Sequence, residues 1–100
     1  MKKVVRDGQV AVIVSPGYGS GWSTWDDKRS PFDVELVEAL LSDPSKEKAN
    51  TLLKKRHPKG YETADDLEVE WVPVGTRFTI DEYDGSESLR FLSPDDGYVA

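Results

Sequence analysis

Residues 77–91 read RFTIDEYDGSESLRF, an alternation of apolar and polar side chains interrupted once by an Asp-Gly pair. Asp84-Gly85 is a strong signal for a two-residue β-turn, because both central positions of that turn need a positive φ. Centred there, the turn predicts two apolar cross-strand pairs, Phe78 with Phe91 and Ile80 with Leu89. One face of the hairpin is then apolar and the other polar, which is typical of an antiparallel sheet buried on one side.

The segment before this hairpin alternates as well, with an apolar set and an acidic set: Leu67, Val69 and Trp71 against Glu68 and Glu70. A tight turn within residues 73–75 joins it to the hairpin, so we expect a three-stranded meander over residues 61–92. In that arrangement Val69 and Trp71 share the buried face of Phe78, and the two glutamates lie on the opposite face.

Residues 1–29 predict an N-terminal hairpin followed by a loop rich in glycine and tryptophan. Asp7-Gly8 is a second two-residue turn signal, and residues 10–14 (VAVIV) are apolar on both faces, as in the most buried strand of a sheet. Residues 15–25 read SPGYGSGWSTW, and glycines at three alternate positions exclude a regular helix or a stable strand interior.

Residues 30–60 predict a pair of helices. Ser30-Pro31 has the sequence of an N-cap followed by the first helical position, and Asp43-Pro44 repeats that signal. The second helix ends in Lys54-Lys55-Arg56, whose charges suit its negative end, and His57-Pro58 stops it. The apolar stripes of the two helices are Phe32, Leu36, Val37, Leu40 and Leu41 in the first and Ala49, Leu52 and Leu53 in the second.

These elements together predict an α+β fold, with one antiparallel sheet of about five strands and two helices packed on one face. At 100 residues we expect a single domain over 1–100. The tail at 93–100 is expected to be loosely ordered, with the alternative that Tyr98-Val99 docks onto the fold or a neighbour. The start, MKKVVRDGQ, turns polar at once, so we expect no signal peptide, and the longest apolar run is too short to span a membrane. The expected location is the cytoplasm.

Composition excludes several kinds of catalytic and metal site. The chain has no cysteine and one histidine, His57, so disulfides, thiolate metal sites, cysteine nucleophiles and histidine pairs are ruled out. No Ser-His-Asp, paired-carboxylate or metal-ligand spacing stands out, and Asp26-Asp27 is at best a weak metal candidate. We therefore expect no enzymatic activity, no cofactor and no metal.

The charge is unevenly distributed along the chain. Residues 1–60 hold eleven Lys and Arg against eight Asp and Glu, whereas residues 61–100 hold two against eleven, a net charge of −9. An acidic half disfavours direct binding to nucleic acid, because such binding depends on neutralising phosphates. It suits either a basic protein partner or simple solubility.

The loop at 17–25 is the segment that ordinary folding explains least. Its glycines allow backbone N–H groups to approach a ligand, its hydroxyls add donors, and its aromatic rings offer stacking faces for a base. The candidate ligand-binding residues are Gly17, Tyr18, Gly19, Ser20, Gly21, Trp22, Ser23, Thr24 and Trp25, with Lys28 and Arg29 to attract an anion. The alternative is a glycine-rich turn whose two tryptophans complete the core.

Two charged clusters have a functional and a structural interpretation. Residues 54–59 (KKRHPK) suit a phosphate, but such a run more often complements a helix dipole. The carboxylates of Asp65, Asp66, Glu68 and Glu70 suit a hard cation, but their alternation on a strand is more typical of a solvated face.

Two stretches of the chain carry a resemblance to known proteins: DGQVAV at 7–12 running into SPGYGSGWSTW at 15–25, and VEWVPVGT at 69–76 running into IDEYDGSE at 80–87. They resemble small uncharacterised proteins of phage and other mobile-element genomes. The resemblance brings no catalytic residues with it. It implies a counter-defence protein, acting in the cytoplasm of an infected bacterial host, that covers a host protein or sequesters a nucleotide signal.

Two functional hypotheses follow, beside a third in which the protein is a structural or regulatory phage domain without a ligand. The first is a non-enzymatic protein that sequesters a nucleotide-like small molecule through the glycine–tryptophan loop, as a homo-oligomer with pockets at its interfaces. The alternative is an inhibitor whose acidic strands block a basic surface of a host defence protein.

Overall fold

Six strands and two helices make up the computed structural model, which describes residues 2–17, 21–24, 29–58, 63–84, 86–91 and 97–100. The chain order is β1 (Val5–Arg6), β2 (Gln9–Val14), α1 (Val34–Ser42), α2 (Glu47–Arg56), β3 (Glu68–Pro73), β4 (Arg77–Tyr83), β5 (Ser86–Phe91) and β6 (Tyr98–Val99). The predicted α+β class is confirmed. Neither of the described helices is long and apolar enough to span a membrane.

The strands form two antiparallel sheets of three strands each, in the orders β1-β2-β3 and β5-β4-β6. The prediction of one sheet of about five strands is therefore wrong, as is the predicted meander, because β3 pairs with β2 and not with β4. The turn at Val74-Gly75 forms as expected, but its N–H groups donate to Gly8 and Ala100. These two hydrogen bonds redirect the chain, so that it leaves one sheet and enters the other.

The β4–β5 hairpin has the predicted register. Phe78 pairs with Phe91 and Ile80 with Leu89, and the turn residue Asp84 has a φ of 52°. Phe78 is fully buried, but Phe91 is 62% exposed, which contradicts the prediction that the pair shares a buried face. Phe91 is the last residue of an edge strand, beyond the part of the sheet that other described residues cover.

Strand β2 separates two apolar clusters, and its burial confirms the prediction that it is the most buried strand. Ala11 and Ile13 face the helices and pack with Leu36, Val37 and Leu53. On its other face, β2 packs in a second cluster that includes Phe78 and Ile80 of the second sheet. Its members are Val10, Val12, Val14, Phe32, Val72, Phe78, Ile80 and Ala100. Covering both faces of one apolar strand requires two layers, which is why the second sheet forms.

Val69 and Trp71 pack on the helix side of β3, in the same cluster as Ala11 and Ile13. The prediction that they share a face with Phe78 and Ile80 is wrong. The reason is the change of sheet at the Val74-Gly75 turn, after which the inward face of β4 meets the opposite side of β2.

Helix α1 begins at Val34, three residues after the predicted start. Asp33 is the N-cap, and its Oδ1 accepts the Leu36 N–H at 3.1 Å. Ser30 instead accepts the Phe32 N–H in a turn that precedes the helix, at 3.0 Å. Phe32 lies outside the helix because its ring packs edge-on against Phe78 and Tyr98 of the second sheet, with centroids 6.0 and 5.6 Å away.

Helix α2 begins at Glu47 and not at Asp43-Pro44, but it ends at Arg56 as predicted. The Asp43 carboxylate accepts hydrogen bonds from the Ser45 hydroxyl and N–H and from the Lys48 N–H, at 2.6, 3.1 and 3.3 Å. It therefore organises the turn before the helix. Lys46, with a φ of 67°, makes the sharp bend that leads into the first helical turn.

Arg56 joins the two helices through the N-cap of α1. Its guanidinium donates to both oxygens of Asp33, at 2.6 and 3.2 Å. Burial by itself raises the pKa of Asp33, but the hydrogen bonds from Arg56 and from the Leu36 N–H outweigh it, so the pKa lies below the ordinary value of 3.8. The ionised form of Asp33 is the one that stabilises the fold.

This pair predicts a pH-dependent contribution to stability. A carboxyl group whose pKa is lower in the folded state contributes stability above the unfolded pKa of 3.8. This contribution is lost as the pH falls through the pKa of the folded state. Asp33→Asn keeps a capping oxygen but has no charge, so we expect it to lower the free energy of unfolding by about 1 kcal/mol at about pH 7. The difference from the unsubstituted protein should shrink as the pH falls below 3.8 and through the lower pKa of the folded state.

Urea unfolding across this pH range measures that difference. Asp81→Asn is the control, because Asp81 faces Arg90 at 3.8 Å with both side chains at least half exposed, and its effect should stay within about 0.5 kcal/mol. An Asp33→Asn deficit that stays constant down to the lowest pH would show that the charge contributes nothing.

Candidate functional site

Residues 21–24 of the glycine–tryptophan loop are anchored on a buried carboxylate from β5. The Glu87 side chain is 1% exposed. Its Oε1 accepts the Ser15 N–H at 2.9 Å, and its Oε2 accepts the Trp22 N–H at 2.8 Å, the Thr24 N–H at 3.1 Å and the Thr24 hydroxyl at 2.6 Å. Four donors from the chain around the loop therefore converge on one protein anion.

The backbone N–H groups that the sequence suggested for a ligand bind a side chain of the protein itself. Backbone N–H groups of a tight loop make a concavity for an anion, and here Glu87 supplies the anion. Two further bonds tie the same region together, since the Glu87 N–H donates to Ser15 O at 2.6 Å and the Ser86 hydroxyl to Pro16 O at 2.7 Å. Within residues 21–24, the amides of Trp22 and Thr24 are engaged by the protein itself.

Trp22 belongs to the helix-side core. It is 4% exposed, packs with the cluster around Ile13 and Leu36, and donates its indole N–H to Ser30 O at 2.9 Å. The Arg29 guanidinium lies over the ring, 5.0 Å from its centroid. The sequence left open whether Trp22 stacks on a ligand or completes the core, and the structure places it in the core.

The other candidate loop residues have varied surroundings. Gly17 is exposed, and a Cβ placed there would come within 4.0 Å of the Asp66 carboxylate. Gly21 is buried with a φ of 73°, and Thr24 is exposed. Ser23 is buried, and no described residue forms a hydrogen bond with its hydroxyl. The remaining candidates lie outside the described residues: Tyr18, Gly19, Ser20, Trp25, Asp26, Asp27 and Lys28.

The basic cluster at the end of α2 is divided between the protein and solvent. Lys54 and Lys55 are exposed, whereas Arg56 is engaged by Asp33 and, at 3.6 Å, by Glu35. The exposed His57 ends the helix, and its N–H donates to Leu53 O at 2.9 Å. Lys59 lies outside the described part of the chain.

The chain before and within β3 exposes four carboxylates within six residues: Asp65, Asp66, Glu68 and Glu70. The Asn50 amide donates to Asp65 at 3.0 Å, and this bond, together with one involving Thr63, lowers the pKa of that carboxyl. In the part of the chain that the structure describes, no three His, Asp or Glu side chains are grouped to hold a metal ion. We call the four residues the acidic edge.

An apolar groove of about 310 Å³ lies beside the acidic edge, between the end of α1 and the start of β3. It is lined by Leu40, Leu41, Pro44, Lys46, Leu67, Glu68 and Val69. The Lys46 ammonium group donates to Asp65 O at 2.9 Å, so this lining cation is held by the acidic edge. The groove thus joins an apolar surface to an acidic one.

Sequence reasoning missed Glu87 as the anchor of the loop. The signal was present, since the hairpin register places residue 87 on the same side of β5 as the inward-facing Leu89. An acidic residue at an inward position needs hydrogen-bond donors, because burying an unpaired charge is costly.

No protein-family model matches the chain, and no curated protein or solved structure is significantly similar to it.

Proposed function

We propose that this protein is a non-catalytic binding protein that attaches to a basic surface of another protein through the acidic edge. The observation that carries the proposal is the exposure of all four carboxylates within residues 65–70, next to an apolar groove. Apolar contact supplies binding free energy, and charge selects and steers the partner. A surface with both features is suited to a partner that carries Lys or Arg beside apolar side chains.

The wider charge distribution supports the same partner. Residues 61–100 carry a net charge of −9, and the acidic edge belongs to this part of the chain. The cation nearest the groove, Lys46, is held by the Asp65 carbonyl and offsets only one charge. A field of one sign raises the rate at which a partner of opposite charge associates, and added salt weakens it.

Nucleotide capture through the glycine–tryptophan loop stays a prediction that the described residues favour less. The Glu87 carboxylate accepts the amides of Trp22 and Thr24, and the Asp66 carboxylate lies beside Gly17. Both carboxylates are negatively charged and would repel a phosphate group at this position. In line with the resemblance to phage and mobile-element proteins, we propose that the basic partner is a host defence protein in the bacterial cytoplasm.

Affinity purification from bacterial lysate tests the proposal. We expect the unsubstituted protein to retain a basic protein at about 0.15 M salt and to release it at about 0.5 M, where the screening length falls to roughly 4 Å. Glu68→Gln with Glu70→Gln should reduce retention by about 3- to 10-fold. The matched control, Glu38→Gln with Asp81→Asn, removes two exposed charges elsewhere and should retain the partner.

Native mass spectrometry of the same samples reports the competing result. Partner retention that is insensitive to Glu68 and Glu70 would contradict the proposal. A co-purified nucleotide, confirmed by calorimetry as binding more tightly than about 10 μM and lost in Gly19→Val, would favour the loop instead; that threshold corresponds to about −6.8 kcal/mol. The same spectra give the number of protein copies, which the homo-oligomer hypothesis predicts to exceed one.

A further inference from the structure

We infer that the outer edge of β3, on the side away from β2, receives an extended segment of the partner as an additional strand. Along that segment, apolar side chains alternate with Lys or Arg. This inference rests on the proposed function and specifies how the basic partner is held. It depends on three features of the same surface, namely the backbone of β3, the apolar groove and the two glutamates of the strand.

Among the described strands, β3 pairs with β2 on one side only. Ala11 donates its N–H to Val4 O and Ile13 to Pro31 O, so both residues turn their backbone groups away from β3. The alternate residues of β2 therefore face β3, in the pairs Val10 with Val72, Val12 with Glu70 and Val14 with Glu68.

The same alternation places the N–H and C=O groups of Val69 and Trp71 on the outer edge of the strand. Among the described residues, no hydrogen bond reaches these groups. Unpaired groups on an edge strand are a template for another strand. Pro73, which has no N–H, ends this edge.

The groove receives one set of the added strand's side chains. A strand paired with β3 would lie about 4.8 Å from it and would pass the end of α1. Its side chains on the helix side share the face of Leu67 and Val69, which line the groove together with Leu40 and Leu41. Aliphatic side chains suit this position, because the lining is mostly apolar.

The other set of side chains meets the acidic residues of β3. Glu68 and Glu70 lie on the face opposite to Val69, and both are exposed. Opposite charges on neighbouring strands stabilise their pairing, and like charges weaken it. A partner strand with Lys or Arg at these positions is therefore favoured. A second copy of β3 is disfavoured, because it would bring the same glutamates together.

A peptide of sequence KVKVKVK is the probe for this edge. We expect its binding to slow amide hydrogen exchange at Val69 and Trp71 by at least ~10-fold, because both N–H groups become hydrogen-bonded. Exchange at Glu70, whose N–H already faces β2, should not change. The peptide EVEVEVE has the same alternation and the opposite charge, so it should bind at least ~10-fold more weakly.

Two protein variants locate the contact. Val69→Pro removes an outer N–H without removing a bond to β2, and it should weaken binding of KVKVKVK by ~10-fold or more. Val69→Ile keeps the N–H and should bind within ~2-fold of the unsubstituted protein. Circular dichroism shows whether Val69→Pro is folded. If this variant is unfolded, the exchange measurement on the unsubstituted protein tests the inference instead.

The following outcomes would overturn this inference. Unchanged exchange at Val69 and Trp71 with saturating peptide places the contact elsewhere, as does full affinity in a folded Val69→Pro variant. A free protein that sediments as a dimer, and becomes a monomer in Val69→Pro, makes a second copy the occupant. If Glu68 and Glu70 control retention of a basic protein while the edge stays unprotected, the proposed function stands and strand addition fails.

Discussion

Replacing Glu87 by Ala is expected to lower the free energy of unfolding by about 3–5 kcal/mol. The substitution deletes the acceptor of four hydrogen bonds and leaves the N–H groups of Ser15 and Trp22 buried without a partner. Each such unsatisfied group costs about 1–3 kcal/mol. The Thr24 groups lie closer to water and add less, because Thr24 is exposed.

Glu87→Gln separates the charge of this side chain from its shape. The amide keeps one acceptor oxygen but turns an NH₂ group toward N–H donors, so we expect a loss of stability smaller than that of Glu87→Ala. Glu82→Ala is the control, because Glu82 is the exposed cross-strand partner of Glu87. Its effect should be about 1 kcal/mol or less.

Urea unfolding gives these free energies, and amide exchange shows where the structure loosens. In Glu87→Ala, exchange at Trp22 and Thr24 should become faster than exchange at Val12, because the first two amides lose their acceptor and Val12 stays in the β2–β3 ladder. A Glu87→Ala variant as stable as Glu82→Ala would show that the carboxylate does not hold the loop.

Phe78→Ala is expected to cost about 3–5 kcal/mol, the usual range for removing a buried aromatic ring. Phe78 is fully buried in the cluster between the sheets, where its ring lies 6.0 Å from Phe32 and 5.6 Å from Tyr98. Removing the ring leaves a cavity and breaks both aromatic contacts. The three residues come from distant parts of the chain, so the loss affects the whole fold.

The hairpin provides a matched control for this prediction. Phe91 is the direct cross-strand partner of Phe78 but is 62% exposed, so Phe91→Ala should cost about 1 kcal/mol or less. Thermal and urea unfolding of the two variants measure the difference. Equal losses at the two positions would mean that the environments of Phe78 and Phe91 are not as different as their exposure indicates.

Local sequence signals predicted the elements that depend on neighbouring residues. Asp84-Gly85 fixed the register of β4 and β5, because a two-residue turn leaves only one way to align its strands. Residues 10–14 identified the most buried strand, and Lys54-Lys55-Arg56 marked the end of α2. The starts of both helices were missed by three residues. The Asp33 side chain caps α1 in place of Ser30, and the Asp43 carboxylate holds the turn that precedes α2 instead of capping the helix.

At the candidate site, the sequence does not distinguish a ligand-binding loop from a packed turn. The composition of the loop fits a ligand site and a packed turn equally well, because glycine, tryptophan and hydroxyl residues serve both. Glu87, 63 residues after Thr24, decides how the described part of the loop is held. The groove beside β3 likewise combines the end of α1 with the start of β3, which are far apart in the chain.

The sequence by itself determined the turns, the strand periodicity and the approximate helices, because backbone geometry and side-chain alternation are properties of short segments. Only the tertiary structure decided which layer covers each apolar face. Alternation shows that Val69 and Phe78 point inward, but it cannot distinguish helices from a second sheet as the surface that covers them. That choice depends on the two apolar faces of β2, which require a layer on each side.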